Sequence, residues 1–380
     1  MEKYIKFSYL LSAFICLLSF AWLLKVLFLG LYPDFSAYYH VSEYFLKGIN
    51  YYAHPELLTI SYSYPPIDFL FFVPFTFLPF QFAEFFWTLL NIFLLILSIL
   101  FLTKIFKIQF FSKLNMILMA LVFISFPTKF TLGMGQLNII VMSLLCYGLW
   151  VLSQKKESLA GIIFGAAFSI KFSPVFLPFY FLIKFKKRVI IGMLIFAFIN
   201  ILLVLLFVPF STTYYYIVKI APDFLLSSWK LDYYNQSITG VLGRSLGTGY
   251  VSIVLKNVLT ILFVFISFVV LFNNKKKDLL TTMLSFGIII TISILFNTFS
   301  WQHHFVWLIV PFYATVFYLK KIKAKTIYYL LITIAYVLVS VNFPNPNILP
   351  VILQSHVFYG GIILLSVDLF MLLKRSSSEL

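Results

Sequence analysis

Charge is scarce in this sequence. Only 11% of its 380 residues are Asp, Glu, Lys or Arg, while 62% are hydrophobic. That balance excludes a soluble globular domain, because repeated apolar stretches of this length have to be covered by lipid. Cysteine is nearly absent: Cys16 and Cys146 both lie inside apolar stretches. A disulfide framework is not expected, and the two thiols are read as buried and free. Acidic residues number 12 against 28 Lys and Arg, for a formal net charge of +16. Such an excess would suit nucleic acid. Here, however, the lysines fall in short clusters between apolar stretches rather than on one basic face, the pattern that marks the cytoplasmic side of membrane proteins. No nucleic-acid partner is expected. Arginine is the scarcest cation, present only as Arg188, Arg244 and Arg375. No HExxH pair is found, and the cysteines offer no metal-ligand spacing, so neither metal nor cofactor is expected.

Apolar stretches fall at 7–29, 83–103, 114–127, 136–153, 159–170, 172–183, 189–208, 251–272, 279–296, 304–319, 326–343 and 350–373. They imply an all-α polytopic membrane bundle of about 12 transmembrane helices, with 1–380 as a single integral membrane domain. The first stretch follows a basic start, as in a signal peptide. It is long and lacks a small-x-small cleavage site, so an uncleaved helix is expected. The shortest stretches fall below the span of a bilayer core about 30 Å thick, and 159–183 is read as a helical hairpin sheltered by its neighbours.

Residues 63–80, SYPPIDFLFFVPFTFLPF, are apolar but carry Pro65, Pro66, Pro74 and Pro79. Proline breaks helices, so this segment is read as dipping into the outer leaflet rather than crossing. Most Lys and Arg, and both termini, then fall on the cytoplasmic side of a cell membrane. Two long loops, 30–82 and 209–250, lie outside. So do His40, His54, His303, His304 and His356, and the carboxylates Asp34, Glu43, Glu56, Asp68, Glu84, Asp223 and Asp232. The chemistry of the protein is therefore placed on the extracytoplasmic face.

Ser36, His40, Glu43 and Lys47 share one face of a helix over 36–47, with Ala37, Val41, Tyr44 and Phe45 on the other, the pattern of an interfacial helix. Asp34 stands just before it. Two readings are open: a carboxylate capping that helix, or a reactive group. In the second loop, Arg244 is the one arginine outside the cytoplasmic clusters, beside Asn235 and Gln236. Its planar fork suits a phosphate; the plain alternative is an interfacial arginine reaching for the membrane surface. His303 and His304 sit at the outer end of a span among tryptophans, where belt residues are common too. Gln136 and Asn138 interrupt an apolar stretch, and Lys171 sits at the turn of the short hairpin, where a charge is costly unless paired or facing an aqueous cavity. Tyr62 and Tyr64 are candidates for sugar contact or for the aromatic belt.

The ordered set PDFSAYYH, YSYPP, GQLN, IKFSP, YNQSITGVLGR and SWQHHFVW resembles glycosyltransferase family 87, over roughly residues 33–312. The resemblance implies a GT-C-like fold and a polyprenyl-phosphate-linked hexose donor, mannose in the family. It also implies inverting transfer, outside the cytoplasm, to a glycolipid or glycan acceptor. It implies a general-base aspartate, matched by Asp34, and a histidine, matched by His303 or His304. Leaving-group charge would fall to Arg244, Lys171 and one of His303 and His304, and substrate contacts to Gln136, Asn138, Asn235, Gln236, Tyr62 and Tyr64. A transporter or flippase of lipid-linked sugars is the rival class. Its polar residues would sit near the midplane of internal repeats, whereas here they gather at one face and no repeat is seen.

Overall fold

A computed structural model describes residues 2–28, 32–57, 63–226, 228–276 and 278–377. The described residues are helical throughout, with one isolated bridge between Asn235 and Trp301 and no strand. The helices are α1 Glu2–Leu23, α2 Pro33–Leu46, α3 Ile67–Phe72, α4 Phe80–Phe106, α5 Lys113–Ile124 and α6 Phe126–Met134. There follow α7 Asn138–Ser153, α8 Glu157–Ile170, α9 Leu177–Ile183, α10 Lys187–Phe207, α11 Phe210–Tyr215 and α12 Ala221–Leu226. The last six are α13 Ile238–Leu246, α14 Tyr250–Asn273, α15 Leu279–Leu295, α16 Ile309–Lys321, α17 Thr326–Ser340 and α18 His356–Ser377.

Among the described residues, five apolar segments are long enough to cross a membrane: Lys6–Phe28, Phe80–Phe106, Lys187–Phe207, Tyr250–Asn273 and Leu353–Lys374. A sixth is formed if α5 and α6 count as one span bent by 51°. The bend has a cause in Pro127, which lacks the N–H that would bond back to Phe123 across the junction. Several other expected spans coincide with helices that are apolar but shorter: α7, α8, α15 and α17. The expected helix over 172–183 is cut to the seven residues of α9, because residues 171–176 are not helical and Pro174 and Pro178 flank its start. The stretch 304–319 begins as a 3-10 turn over Gln302–Leu308 before α16 takes over. The proline-rich segment 63–80 folds as α3 and a 3-10 turn over Val73–Phe77, too short to cross. Cys16 and Cys146 are buried and free.

The α7–α8 pair fixes the two ends of the bundle. Asn138 opens α7 at the end where Lys171 closes α8, while Ser153 and Glu157 lie at the opposite end beside Lys155 and Lys156. Helix α10 packs on α8 through Gly161 and Gly192. A Cβ on Gly161 would lie 2.1 Å from the Val189 carbonyl oxygen, and one on Gly192 2.3 Å from that of Ser158. Small residues let membrane helices approach this closely. Gly161→Val is expected to cost about 1–3 kcal/mol through overpacking, read as a lower unfolding temperature in detergent.

Candidate active site

Helix α2 runs Pro33–Leu46, starting three residues before the amphipathic pattern over 36–47. Tyr32 is its N-cap and no side chain caps it. Asp34 therefore sits inside the first turn, and its carboxylate is free to face away from the helix. The neighbouring Phe35 anchors that turn. It is fully buried, stacked on Trp87 of α4 with ring centres 5.5 Å apart and set edge-on to Phe72 at 6.1 Å. Packing in the aromatic layer thus fixes where Asp34 points.

Its carboxylate meets Gln136. Asp34 Oδ2 accepts from Gln136 Nε2 at 2.6 Å. Gln136 is delivered by Gly135, which ends α6 in the left-handed region at φ +70°; a Cβ there would strike Phe35 Cβ at 2.6 Å. The Gly135 carbonyl is held by Trp87 Nε1 at 2.8 Å. On its other side, Gln136 Oε1 accepts from Lys171 Nζ at 3.1 Å, from Tyr64 OH at 3.1 Å and from Tyr38 OH at 3.3 Å. One amide joins a carboxylate to a cation, with its donor turned to the anion and its acceptor to the ammonium. Lys171 Nζ also donates to Asn138 Oδ1 at 2.8 Å and lies 5.7 Å from the Tyr64 ring centre. The partners of Lys171 are thus side-chain oxygens rather than a helix-end carbonyl.

Burial dominates both charges. Asp34 is only half-buried by accessible surface, yet protein packs around it closely enough to push its carboxyl up to about 6, against the opposing pull of the Gln136 hydrogen bond and the Lys171 charge. Lys171, 7% exposed, is pushed down to about 7 by desolvation, against the opposing pull of Asp34 and Asp68.

The histidine pair closes the far side. Thr131 of α6 donates to the His303 carbonyl at 3.0 Å, and Trp307 Nε1 donates to the Asn138 carbonyl at 2.8 Å, so the 302–308 turn is stitched to α6 and α7. The two rings lie 4.7 Å apart, and both feel the Lys171 charge. They differ in their bonds. His304 Nδ1 lies 3.2 Å from the Trp301 carbonyl, whereas His303 Nδ1 is buried with no hydrogen-bond partner among the described residues. Burial and the nearby ammonium hold the His303 ring well below the usual imidazole range, so it is neutral. Asn138 Nδ2 and both side-chain atoms of Gln302 are likewise buried and unpartnered. Buried polar atoms normally have partners, so this concentration of unmet donors and acceptors around Lys171 suits a polar ligand. Among the described residues, no three His, Cys, Asp or Glu side chains gather as metal ligands would.

Residues 62–298, more than half of the chain, match the model of glycosyltransferase family 87. The chain belongs to that family. No curated protein and no solved structure matches it. Family 87 membership makes it a membrane glycosyltransferase, and the match includes Gln136, Asn138, Lys171, Asn235, Gln236 and Arg244. Asp34, His303 and His304 lie outside the matched range, so their place in this family 87 enzyme rests on the geometry above.

Three of the expected contact residues of the glycosyltransferase stand apart from this cluster. Arg244 Nη1 donates to the carbonyls of Asp232 at 2.6 Å and Asn235 at 2.8 Å, and Nη2 donates to Ser355 Oγ at 2.9 Å. Both terminal nitrogens of its fork are engaged by protein oxygens, while Nε is buried without a partner among the described residues. Asn235 ties the carbonyls of Lys230 and Thr298 through Nδ2, and its Oδ1 receives the Ser300 N–H at 3.0 Å. Gln236 Nε2 donates to the carbonyls of Tyr233 at 2.6 Å and Gln354 at 2.7 Å. With backbone bonds from Gln236 to Ser300 and from Gln302 to Tyr234, these side chains clamp the 298–302 segment that leads into His303. Tyr62 lies outside the described residues. Tyr64 joins the cluster through Gln136. Sequence reading passed over Tyr38, one helical turn after Asp34; the i, i+4 spacing was the available signal for it.

The Arg244 geometry gives a clear test. Arg244→Lys keeps a cation but cannot span three acceptors, so stability is expected to fall by about 1–3 kcal/mol. Binding of decaprenyl phosphate by the folded fraction should change by less than about threefold. A selective loss of lipid-phosphate binding with unchanged stability would instead make Arg244 a donor ligand.

Proposed function

We propose that this membrane glycosyltransferase moves a hexose, mannose by the family resemblance, from a polyprenyl phosphate to a hydroxyl of a glycolipid or glycan, with inversion. The acceptor oxygen attacks the anomeric carbon while its proton passes to Asp34 Oδ1 or Oδ2. The bond from that carbon to the phosphate oxygen breaks, and polyprenyl phosphate leaves as an anion that needs no proton. Lys171 stabilises the charge gathering on that phosphate, and the neutral His303 supplies a polar ring atom to the reacting groups. Gln136 keeps Asp34 and Lys171 in fixed relation without letting them collapse into a direct ion pair. The observation carrying this reading is the single amide bridge, 2.6 Å to the carboxylate and 3.1 Å to the ammonium, within a family 87 chain.

Sidedness follows from charge. The site lies at the end of the bundle away from Lys155 and Lys156, and by the positive-inside rule it is extracytoplasmic. On this reading the chain is one domain of about twelve passes in the cell membrane. Both termini are cytoplasmic, the shorter helices are sheltered by neighbours, and α2 lies in the interface. The reaction calls on no metal or cofactor.

Purified protein incubated with decaprenyl-phosphate mannose and octyl α-mannoside tests the assignment. Free decaprenyl phosphate should appear in step with an elongated glycoside whose new linkage has inverted anomeric configuration. Movement of the intact donor across liposomes without release of decaprenyl phosphate would replace this reading with a flippase.

A further inference from the structure

Among the described residues the reaction above leaves two buried carboxyls unused, Asp68 and Asp368; Asp368 accepts from Thr315 between α16 and α18, whereas Asp68 adjoins the site. Asp68 lies in the first turn of α3 and is 3% exposed. Its Oδ2 has no hydrogen-bond partner among the described residues. It forms no ion pair among the described residues, and its backbone N–H is already given to the Pro65 carbonyl. It caps nothing, since Pro66 is the N-cap of α3. Burying a carboxyl oxygen without a partner is costly, and the fold does not let this one escape. Ser42 Oγ holds the adjacent Phe69 carbonyl at 2.9 Å, and Phe69 is fully buried against Phe45 and Tyr51.

Its surroundings are aromatic and adjoin the site already described. Asp68 is within electrostatic reach of Lys171, Tyr52, Tyr64 and Tyr216. Tyr52 OH donates to the Tyr64 carbonyl at 2.5 Å, and the Tyr52 and Tyr216 rings lie 5.3 Å apart. Tyr64 OH in turn donates to Gln136. Lys171 therefore feels two carboxyls: Asp34 is tied to Gln136, whereas Asp68 Oδ2 has no hydrogen-bond partner among the described residues.

We propose that Asp68 and the tyrosines around it, Tyr52, Tyr64 and Tyr216, form a subsite that binds the hydroxyls of a hexopyranose next to the Asp34–Lys171 centre. The inference rests on the transferase reading of that centre. A fixed oxygen accepts from a sugar hydroxyl, and aromatic walls cover the C–H face of the ring. A site built to bond a hydroxyl rejects ligands that lack it, because its own polar atom is then left unpaired. The hexose has two sources, the donor's sugar or the acceptor's, and Asp68 acts on whichever ring lies over α3.

Binding to the detergent-purified full chain separates these. Three probes are used: decaprenyl-phosphate mannose, decaprenyl phosphate and octyl α-mannoside. Asp68→Ala should weaken one mannose-bearing probe by about 10- to 100-fold, the loss of a hydrogen bond to a buried polar group. Decaprenyl phosphate should stay within about threefold, which also reports that the variant is folded. Loss confined to the lipid-linked mannose places the donor sugar on Asp68; loss confined to the alkyl mannoside places the acceptor there. Asp68→Asn, which keeps one accepting oxygen, should lie between wild type and Ala, and it carries the test if the Ala variant does not fold. Unchanged binding of both mannose probes, or equal weakening of all three, overturns the subsite. The transferase reading fails separately, if the wild-type protein releases no decaprenyl phosphate from donor and acceptor.

Discussion

Asp34→Asn is expected to lower transfer by about 10²- to 10⁴-fold, the range a positioned general base supplies. The substitution keeps the shape of the side chain and removes its ability to accept a proton. Its effect on structure should be small, because Phe35, not Asp34, anchors the first turn of α2 against Trp87 and Phe72. Its effect on the bridge depends on amide orientation. An Asn that turns its oxygen to Gln136 Nε2 preserves the 2.6 Å bond, and Gln136 Oε1 remains with Lys171. Donor binding should then hold within about threefold while turnover falls. Release of decaprenyl phosphate measures turnover, and binding of decaprenyl-phosphate mannose measures the ground state. Retained turnover in a folded variant would reject Asp34 as the base. Loss of turnover in proportion to loss of donor binding would make Asp34 a positioning group for the Gln136–Lys171 pair instead.

The sequence showed most clearly the groups whose cost or scarcity set them apart. Lys171 was conspicuous because an ammonium between two apolar stretches must find oxygen, and it does so in Gln136 and Asn138. Asp34 stood out at the edge of the first apolar stretch. What the sequence does not carry is the angle at which each group enters. Gln136 is the hub because Gly135 turns it into the gap between α2 and Lys171, and that depends on a close approach to Phe35 from a distant part of the chain. Arg244 shows the same limit. Its rarity suggested a ligand for phosphate, and rarity does not reveal that Nη1 and Nη2 meet three protein oxygens while Nε has no partner among the described residues. Helix length was the other blind spot. Hydropathy reports that a stretch belongs in lipid but not where proline interrupts it, so α9 is far shorter than its apolar run, and α5–α6 bends at Pro127. Asp68 was placed outside with the other carboxylates but not singled out, because the segment around it reads as apolar and its burial depends on elements distant in sequence.

Lys171→Met tests the opposite end of the bridge, and its signature is in the pH profile. In the wild-type enzyme Asp34 has to be ionised and Lys171 protonated. Burial raises Asp34 to about 6 and lowers Lys171 to about 7, so turnover should rise through the first value and fall through the second. The window is narrow because desolvation moves the two groups toward each other. Methionine fills a similar volume without charge, so folding should survive, and Asp34 and Asp68 are left without a cation between them. The Lys171 charge had favoured the ionised form of Asp34; without it the carboxyl is held protonated to higher pH. The rising limb should therefore move upward, and the falling limb should vanish. Turnover at its best pH should still be down by about 10²–10³-fold, the cost of removing one charge stabiliser from a reacting phosphate. A profile of unchanged shape with reduced height would mean that Lys171 only holds Gln136 and Asn138 in place. A rising limb that moves to lower pH would contradict the electrostatic coupling on which the mechanism depends, since loss of a neighbouring positive charge can only make a carboxylic acid weaker.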